Sequence, residues 1–177
     1  MKTFKVPTRD EVSPANQAIF DKLKQKLGRV PNSYAFMASS ENGLATYLAL
    51  SNAKSSLTIK EKEVINLIVS GINGCHYCTS AHTVIGKLNG FTDEQILEIR
   101  RGGVSFDAKL DVLAQLVKQI TNNKGNAGQE VIDNFFAAGY TNESLVDTLL
   151  IISERTFSNY LNAIVNVPID FPVAPQI

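Results

Sequence analysis

The chain has 177 residues, 44% of them hydrophobic and 19% charged, with Lys plus Arg at 17 and Asp plus Glu at 17. That length fits one domain, residues 1–177, with a substantial buried core. The zero net charge leaves no electrostatic case for nucleic acid or an anionic membrane surface, and it favours self-association over mutual repulsion.

Helical punctuation runs through the whole chain. Residues 1–13 read as an N-terminal extension. Pro14 opens a stretch to about Leu27, with Ala18, Phe20, Leu23 and Leu27 at two- to four-residue steps, and Gly28 ends it. Pro31 starts a second helix through Met37 and beyond, and a third spans Asn42 to about Ala53. Thr58 and Glu61 have the spacing of a capping box, which predicts a helix to Gly71. A fifth helix is expected from Cys75 to Gly90, with Cys75 in its first turn. Thr92 caps a sixth, stopped by Gly102 and Gly103.

Asp107 to Asn122 is amphipathic, with Leu110, Leu113, Leu116, Val117 and Ile120 on one side. Two more helices follow, over Gln129 to Ala138 and from about Asn142 towards Val165. Pro168, Pro172 and Pro175 then impose an extended tail over residues 167–177. No segment alternates with strand periodicity, so the expected class is all-α. Val64–Ile72 and Leu145–Ile152 are apolar on most faces, and both are expected to be buried. The apolar tail is expected to pack on a neighbouring subunit.

The two cysteines and two histidines all fall in one window, Cys75-His76-Tyr77-Cys78-Thr79-Ser80-Ala81-His82. On a helix, Cys75, Cys78 and His82 occupy a sector of roughly 60°. Cys78 and His82 are i,i+4 neighbours, so the imidazole is expected to reach the thiol. Amides and dipole at the helix start favour thiolate, and on that ground Cys75 is the better nucleophile. The i,i+4 histidine favours Cys78 instead.

Glu63 lies eight residues before Gly71, and His82 lies eight after Gly74. A turn at 71–74 would place both about 12 Å from it, facing each other across a helical hairpin. A carboxylate there holds one imidazole tautomer and steadies the imidazolium. Cys75, Cys78 and His82 would supply only three zinc ligands, with no distant Cys or His to close a structural tetrahedron. No metal and no cofactor are expected. Tyr34, Phe36, Met37 and Tyr47 are read either as core or as pocket lining.

The run Glu63-x(11)-Cys75-x-x-Cys78-x-x-x-His82 resembles the signature of the alkyl hydroperoxidase D (AhpD)-like proteins of the carboxymuconolactone decarboxylase superfamily. Arg29-Val30-Pro31-Asn32-Ser33 and Ala81-His82-Thr83 look like its peroxidase-related branch. The resemblance implies an all-helical, commonly oligomeric protein. It implies that Cys78 attacks the peroxide and becomes sulfenic acid, that Cys75 resolves it to a disulfide, and that His82 and Glu63 relay protons. Some members are re-reduced by a dihydrolipoyl adaptor protein, so a hydroperoxide and a dithiol reductant or such an adaptor are the expected partners.

The N-terminal residues lack the apolar core of a signal peptide, and no run is long enough to span a bilayer, so a cytoplasmic location is expected. The leading expectation is a homo-oligomeric thiol peroxidase or disulfide oxidoreductase acting on (alkyl) hydroperoxides. The rivals are a lyase of the wider superfamily, which does not need the paired thiols, and a redox-sensing assembly without turnover.

Overall fold

The computed structural model describes residues 4–177, and the first three residues of the expected N-terminal extension lie outside them. Among the described residues the structure is helical, without strands. A short 3-10 turn at Arg9–Glu11, closed by a capping box from Thr8, stands in the extension. The helices are α1 Pro14–Leu27, α2 Asn32–Met37, α3 Gly43–Ser51, α4 Ile59–Ile72, α5 His76–Leu88, α6 Asp93–Arg100, α7 Ala108–Asn122, α8 Gln129–Ala137 and α9 Asn142–Val165.

Most boundaries follow from side-chain chemistry. Thr58 and Thr92 close full capping boxes with Glu61 and Gln95, satisfying amides that the first helical turn leaves free. Pro31 stands at the N-cap of α2 rather than inside it, and that helix ends at Met37.

α4 lies at the centre and packs on α5, α6, α7 and α9. Val64, Ile65, Leu67, Ile68 and Val69 are fully buried, as its all-round apolar character predicted. Their burial against Ile96 and Ile99 of α6 and Leu113, Leu116 and Val117 of α7 contributes on the order of 10 kcal/mol before conformational entropy. Gly71, read from sequence as a stop, lies inside α4. A Cβ there would meet the Arg100 carbonyl oxygen at 2.8 Å, so glycine lets α4 and α6 approach. The reversal comes three residues later, at Gly74 with φ of +64°.

α9 departs from expectation. Within Leu145–Ile152 only Thr148 and Ile152 are buried, while Val146, Leu149 and Leu150 face outward and are joined by Phe157, Tyr160 and Ile164. The inward face is polar instead: Ser144, Thr148, Arg155, Ser158, Asn159 and Asn162 are buried. Periodicity alone cannot distinguish a helix buried on both sides from one whose apolar face awaits another surface.

The tail, expected to meet a neighbouring subunit, lies against its own chain through Val167, Asp170, Phe171 and Ala174. Val167 joins a cluster with Cys75, Tyr77, Cys78 and Val165. The Phe171 ring meets Tyr77 edge-on at 5.7 Å and lies 4.5 Å under the Arg29 guanidinium. The Asp170 carboxylate accepts from Tyr77 Oη at 2.7 Å and from the Asn32 amide at 3.1 Å. Ser80 Oγ accepts from the Ala174 amide at 3.0 Å. A proline-rich segment lacks the amides to pair with itself, so it borrows partners from α2 and α5.

Candidate active site

Cys75 is the N-cap of α5, one position before the expected first turn. Its Sγ accepts from the Cys78 amide at 3.3 Å, the role a serine or aspartate oxygen plays at other caps. That bond turns Cys75 inward, towards the residue three places on. Both cysteines are free and buried.

The Cys75 thiol donates to Cys78, and that contact is the largest influence on both sulfurs. It draws the Cys78 thiol down to about 5 from an ordinary value near 9, against the opposing effect of burial. The charge of Arg155 and hydrogen bonds from Asn162 and Asn159 act in the same direction. Cys75 is pushed well above the ordinary thiol range by its bond to Cys78, by burial and by the Cys78 charge. The two opposite shifts place the charge of the pair on Cys78 and its proton on Cys75, so the local electrostatics run against the helix-terminus argument for Cys75.

The helical hairpin brings His82 and Glu63 together: Nδ1 of the imidazole donates to Glu63 Oε1 at 2.5 Å, with both side chains buried. Carboxylates are seldom buried unpaired, and this pairing accounts for an acid on an apolar helix. A carboxylate only accepts, so the contact puts a proton on Nδ1 and leaves Nε2 free for exchange. The network continues from Glu63 through Asn66 Nδ2 at 3.5 Å, and Asn66 Oδ1 accepts from Arg155 Nε at 3.0 Å. Arg155 also pairs with Glu154 at 3.1 Å. Burial opposes the Arg155 charge, but Tyr47, Glu154 and Cys78 together hold it firmly protonated.

Among the described residues no hydrogen bond joins His82 to Cys78, contrary to the i,i+4 expectation. Asn162 Nδ2 donates to the Cys78 sulfur instead, at 3.3 Å. The imidazole is turned to α4 by Glu63, because a carboxylate is a far better acceptor than sulfur. His76 is exposed.

Cys78 and His82 line one cavity of about 430 Å³. Leu50, Ile85, Leu88, Ile151 and Phe171 form apolar walls, while Arg155, Glu154 and Asn66 stand at the polar side. Tyr34 and Tyr47 line it, as anticipated for pocket residues. Phe36 and Met37 do not; they pack in the interior. The sequence reading did not include Arg155, Asn159 and Asn162. Their only trace is a run of polar residues at three- and four-residue steps along a helix otherwise apolar. Among the described residues no group of three or more His, Cys, Asp or Glu side chains is arranged to hold a metal ion. No helix among them is long and apolar enough to cross a membrane.

An all-helical frame that sets a glutamate and a histidine beside a Cys-x-x-Cys pair is similar to the fold of AhpD-like proteins. The family model described as the carboxymuconolactone decarboxylase family matches residues 40–117, the segment that holds Glu63, Cys75, Cys78 and His82. The fold is similar to a peroxidase-related protein with an alkylhydroperoxidase AhpD core from Ralstonia eutropha JMP134, at TM-score 0.85 and 17% identity, over 94% of this chain and 91% of that one. It is similar to a peroxidase-related protein from Silicibacter sp. TM1040, at TM-score 0.82 and 21% identity, over 94% and 90%. The debrominase Bmp8 in complex with 2,3,4-tribromopyrrole superposes at TM-score 0.77 and 19% identity, over 96% and 93%. No curated protein matches the sequence.

Proposed function

We propose that the chain is a thiol peroxidase and disulfide oxidoreductase acting on organic hydroperoxides. The observation that supports this reading is geometric: Cys78 lines an apolar cavity and accepts from Asn162, with Cys75 one turn away and bonded to its amide, an arrangement that favours ionisation of Cys78. A thiolate, not a thiol, attacks peroxide oxygen. The Cys78 sulfur takes the terminal oxygen of ROOH and the O–O bond breaks. The leaving alkoxide receives a proton from His82, whose imidazolium Glu63 steadies. The products are ROH and Cys78 sulfenic acid. Cys75 then attacks the sulfenic sulfur, water leaves, and a Cys75–Cys78 disulfide remains. A dithiol, free or carried by an adaptor protein, returns both thiols. The cavity far exceeds what hydrogen peroxide fills, which favours a substrate with an apolar body.

The test is mass spectrometry after one equivalent of cumene hydroperoxide. The wild type should lose two hydrogens across Cys75 and Cys78, and Cys75→Ser should hold a sulfenic acid at Cys78. A sulfenic acid trapped at Cys75 in the Cys78→Ser protein, with Cys78 inert, would reverse the roles.

The same walls favour a second reading. Tyr34, Tyr47 and Phe171 surround a space fit for an aromatic ring, and the debrominase shares the fold. In that reading the Cys78 thiolate takes a bromine from the ring, the ring carbon receives a proton, and Cys75 displaces bromide from the Cys78 sulfur to leave the same disulfide; bromide release from tribromopyrrole tests it. A superfamily lyase reaction would survive Cys78→Ser, whereas either thiol reaction would not. For the assembly we propose a homo-oligomer formed through the outward apolar face of α9.

A further inference from the structure

α9 reaches Cys78 with groups that the motif on α4 and α5 does not contain. Asn162 Nδ2 donates to Cys78 Sγ at 3.3 Å, and Asn162 is more than nine-tenths buried. Its Oδ1 is also buried and has no hydrogen-bond partner among the described residues. A stranded amide oxygen is unfavourable, and a leucine of similar volume would avoid it. What the other end of the amide does accounts for its presence, since an N–H aimed at sulfur stabilises a thiolate far more than a thiol.

Arg155 lies seven residues earlier on the same face and lines the same cavity. Asn66, Ser158 and Glu154 fix its guanidinium, so its charge is held in place rather than free to bind an anionic substrate. The other titratable groups lining this cavity are Arg29, Tyr34 of α2, Tyr47 of α3, Lys54, Lys62 of α4, Tyr77 and His82 of α5, and Asp147 and Glu154 of α9, with Glu63 behind His82 and Cys75 behind Cys78. His82 has its Nδ1 committed to Glu63.

We infer that Asn162, in direct contact with the reacting sulfur, and Arg155, acting through its charge, form the thiolate-holding face of the site together with Cys75. On this division the His82–Glu63 pair is not the base that ionises Cys78. It serves the leaving oxygen, a role that rests on the peroxidase reading above. Thiolate formation then draws on α9, and leaving-group protonation on α4, with α5 common to both.

The pH dependence of Cys78 alkylation by iodoacetamide tests this without any peroxide, so its failure and the failure of the peroxidase reading are separate events. Sites are assigned by peptide mass. In the wild type, reactivity should reach its plateau well below the ordinary thiol range. Asn162→Leu should move the midpoint up by about one unit, which is about tenfold in rate below the midpoint. Asn162→Asp sets a carboxylate in the same volume and should move it further. Because Asp is nearly isosteric with Asn, that variant decides the matter even if the leucine variant fails to fold. Wild-type midpoints in both Asn162 variants would overturn the inference. So would His82→Gln moving the midpoint as far as Asn162→Asp does.

Discussion

Nδ1 of His82 and Oε1 of Glu63 meet at 2.5 Å between two helices, closed off from water. The pair costs desolvation on both sides and is held by geometry, so removing one partner would leave a buried charge or an unmet donor. Glu63→Gln keeps the shape and an acceptor for Nδ1 while deleting the charge. The folded structure should persist, with peroxide turnover down by about 100-fold because the imidazolium loses its counter-charge. Steady-state rates at fixed hydroperoxide would show this. Wild-type turnover in Glu63→Gln would remove the relay from the mechanism. Glu63→Ala should also destabilise, by about 3 kcal/mol in urea unfolding.

The two sulfurs make stability depend on pH. In the folded chain Cys78 titrates near 5, against an ordinary value near 9. Between those values the unfolded chain binds one proton more than the folded chain, so stability rises with pH across this window and is lost as pH falls towards 5. Cys75 works in the opposite sense. The folded chain keeps its proton above the ordinary thiol value, so the gain ends and reverses beyond about 9. The slope is at most about 1.4 kcal/mol per pH unit for one full proton. Denaturant unfolding under reducing conditions should show a steeper rise from about pH 5.5 to about pH 8.5 for wild type than for Cys78→Ser. Equal slopes would mean that Cys78 is not held ionised.

Much of the hairpin was legible in the sequence. The symmetric spacing of Glu63 and His82 about residues 71–74 suffices, because helix rise converts residue count into distance. The capping threonines and the all-round apolar α4 mark the central helix just as directly. The contribution of α9 was not legible. Asn162 lies 84 positions from Cys78, and nothing local in either segment fixes their contact. The outward face of α9 reads as core because periodicity reports apolar character, not what covers it. For the same reason an apolar tail announces that it must be covered, and its partners on α2 and α5 appear only once the chain has folded.

Asp170 ties that tail down. Its carboxylate accepts from Tyr77 Oη and from the Asn32 amide, and Arg29 lies within 3.5 Å. Asp170→Ala strips these donors of their acceptor and should lower stability by about 2 kcal/mol. Phe171 then loses its anchor as a cavity wall, so the Michaelis constant for a bulky hydroperoxide should rise more than that for hydrogen peroxide. Unfolding temperature and the two Michaelis constants are the measurements. Unchanged values would reduce the strap to a surface decoration.

The outward stripe of α9 sets the last expectation. Val146, Leu149, Leu150, Phe157, Tyr160 and Ile164 are exposed on one helix face, an apolar surface larger than isolated chance residues produce. The chain has no net charge to keep copies apart. Burial of such a stripe against its own symmetry mate satisfies both copies at once, since a two-fold contact needs one patch only. Sedimentation should therefore report an assembly larger than one chain. Phe157→Glu with Ile164→Glu places carboxylates in the middle of that contact and should yield monomers with unchanged helical circular dichroism. Ile164 lies on the helix face opposite Asn162, so alkylation of Cys78 in the Ile164→Glu single variant should remain as fast as in the wild type. An assembly of unchanged mass in the double variant would place the interface elsewhere.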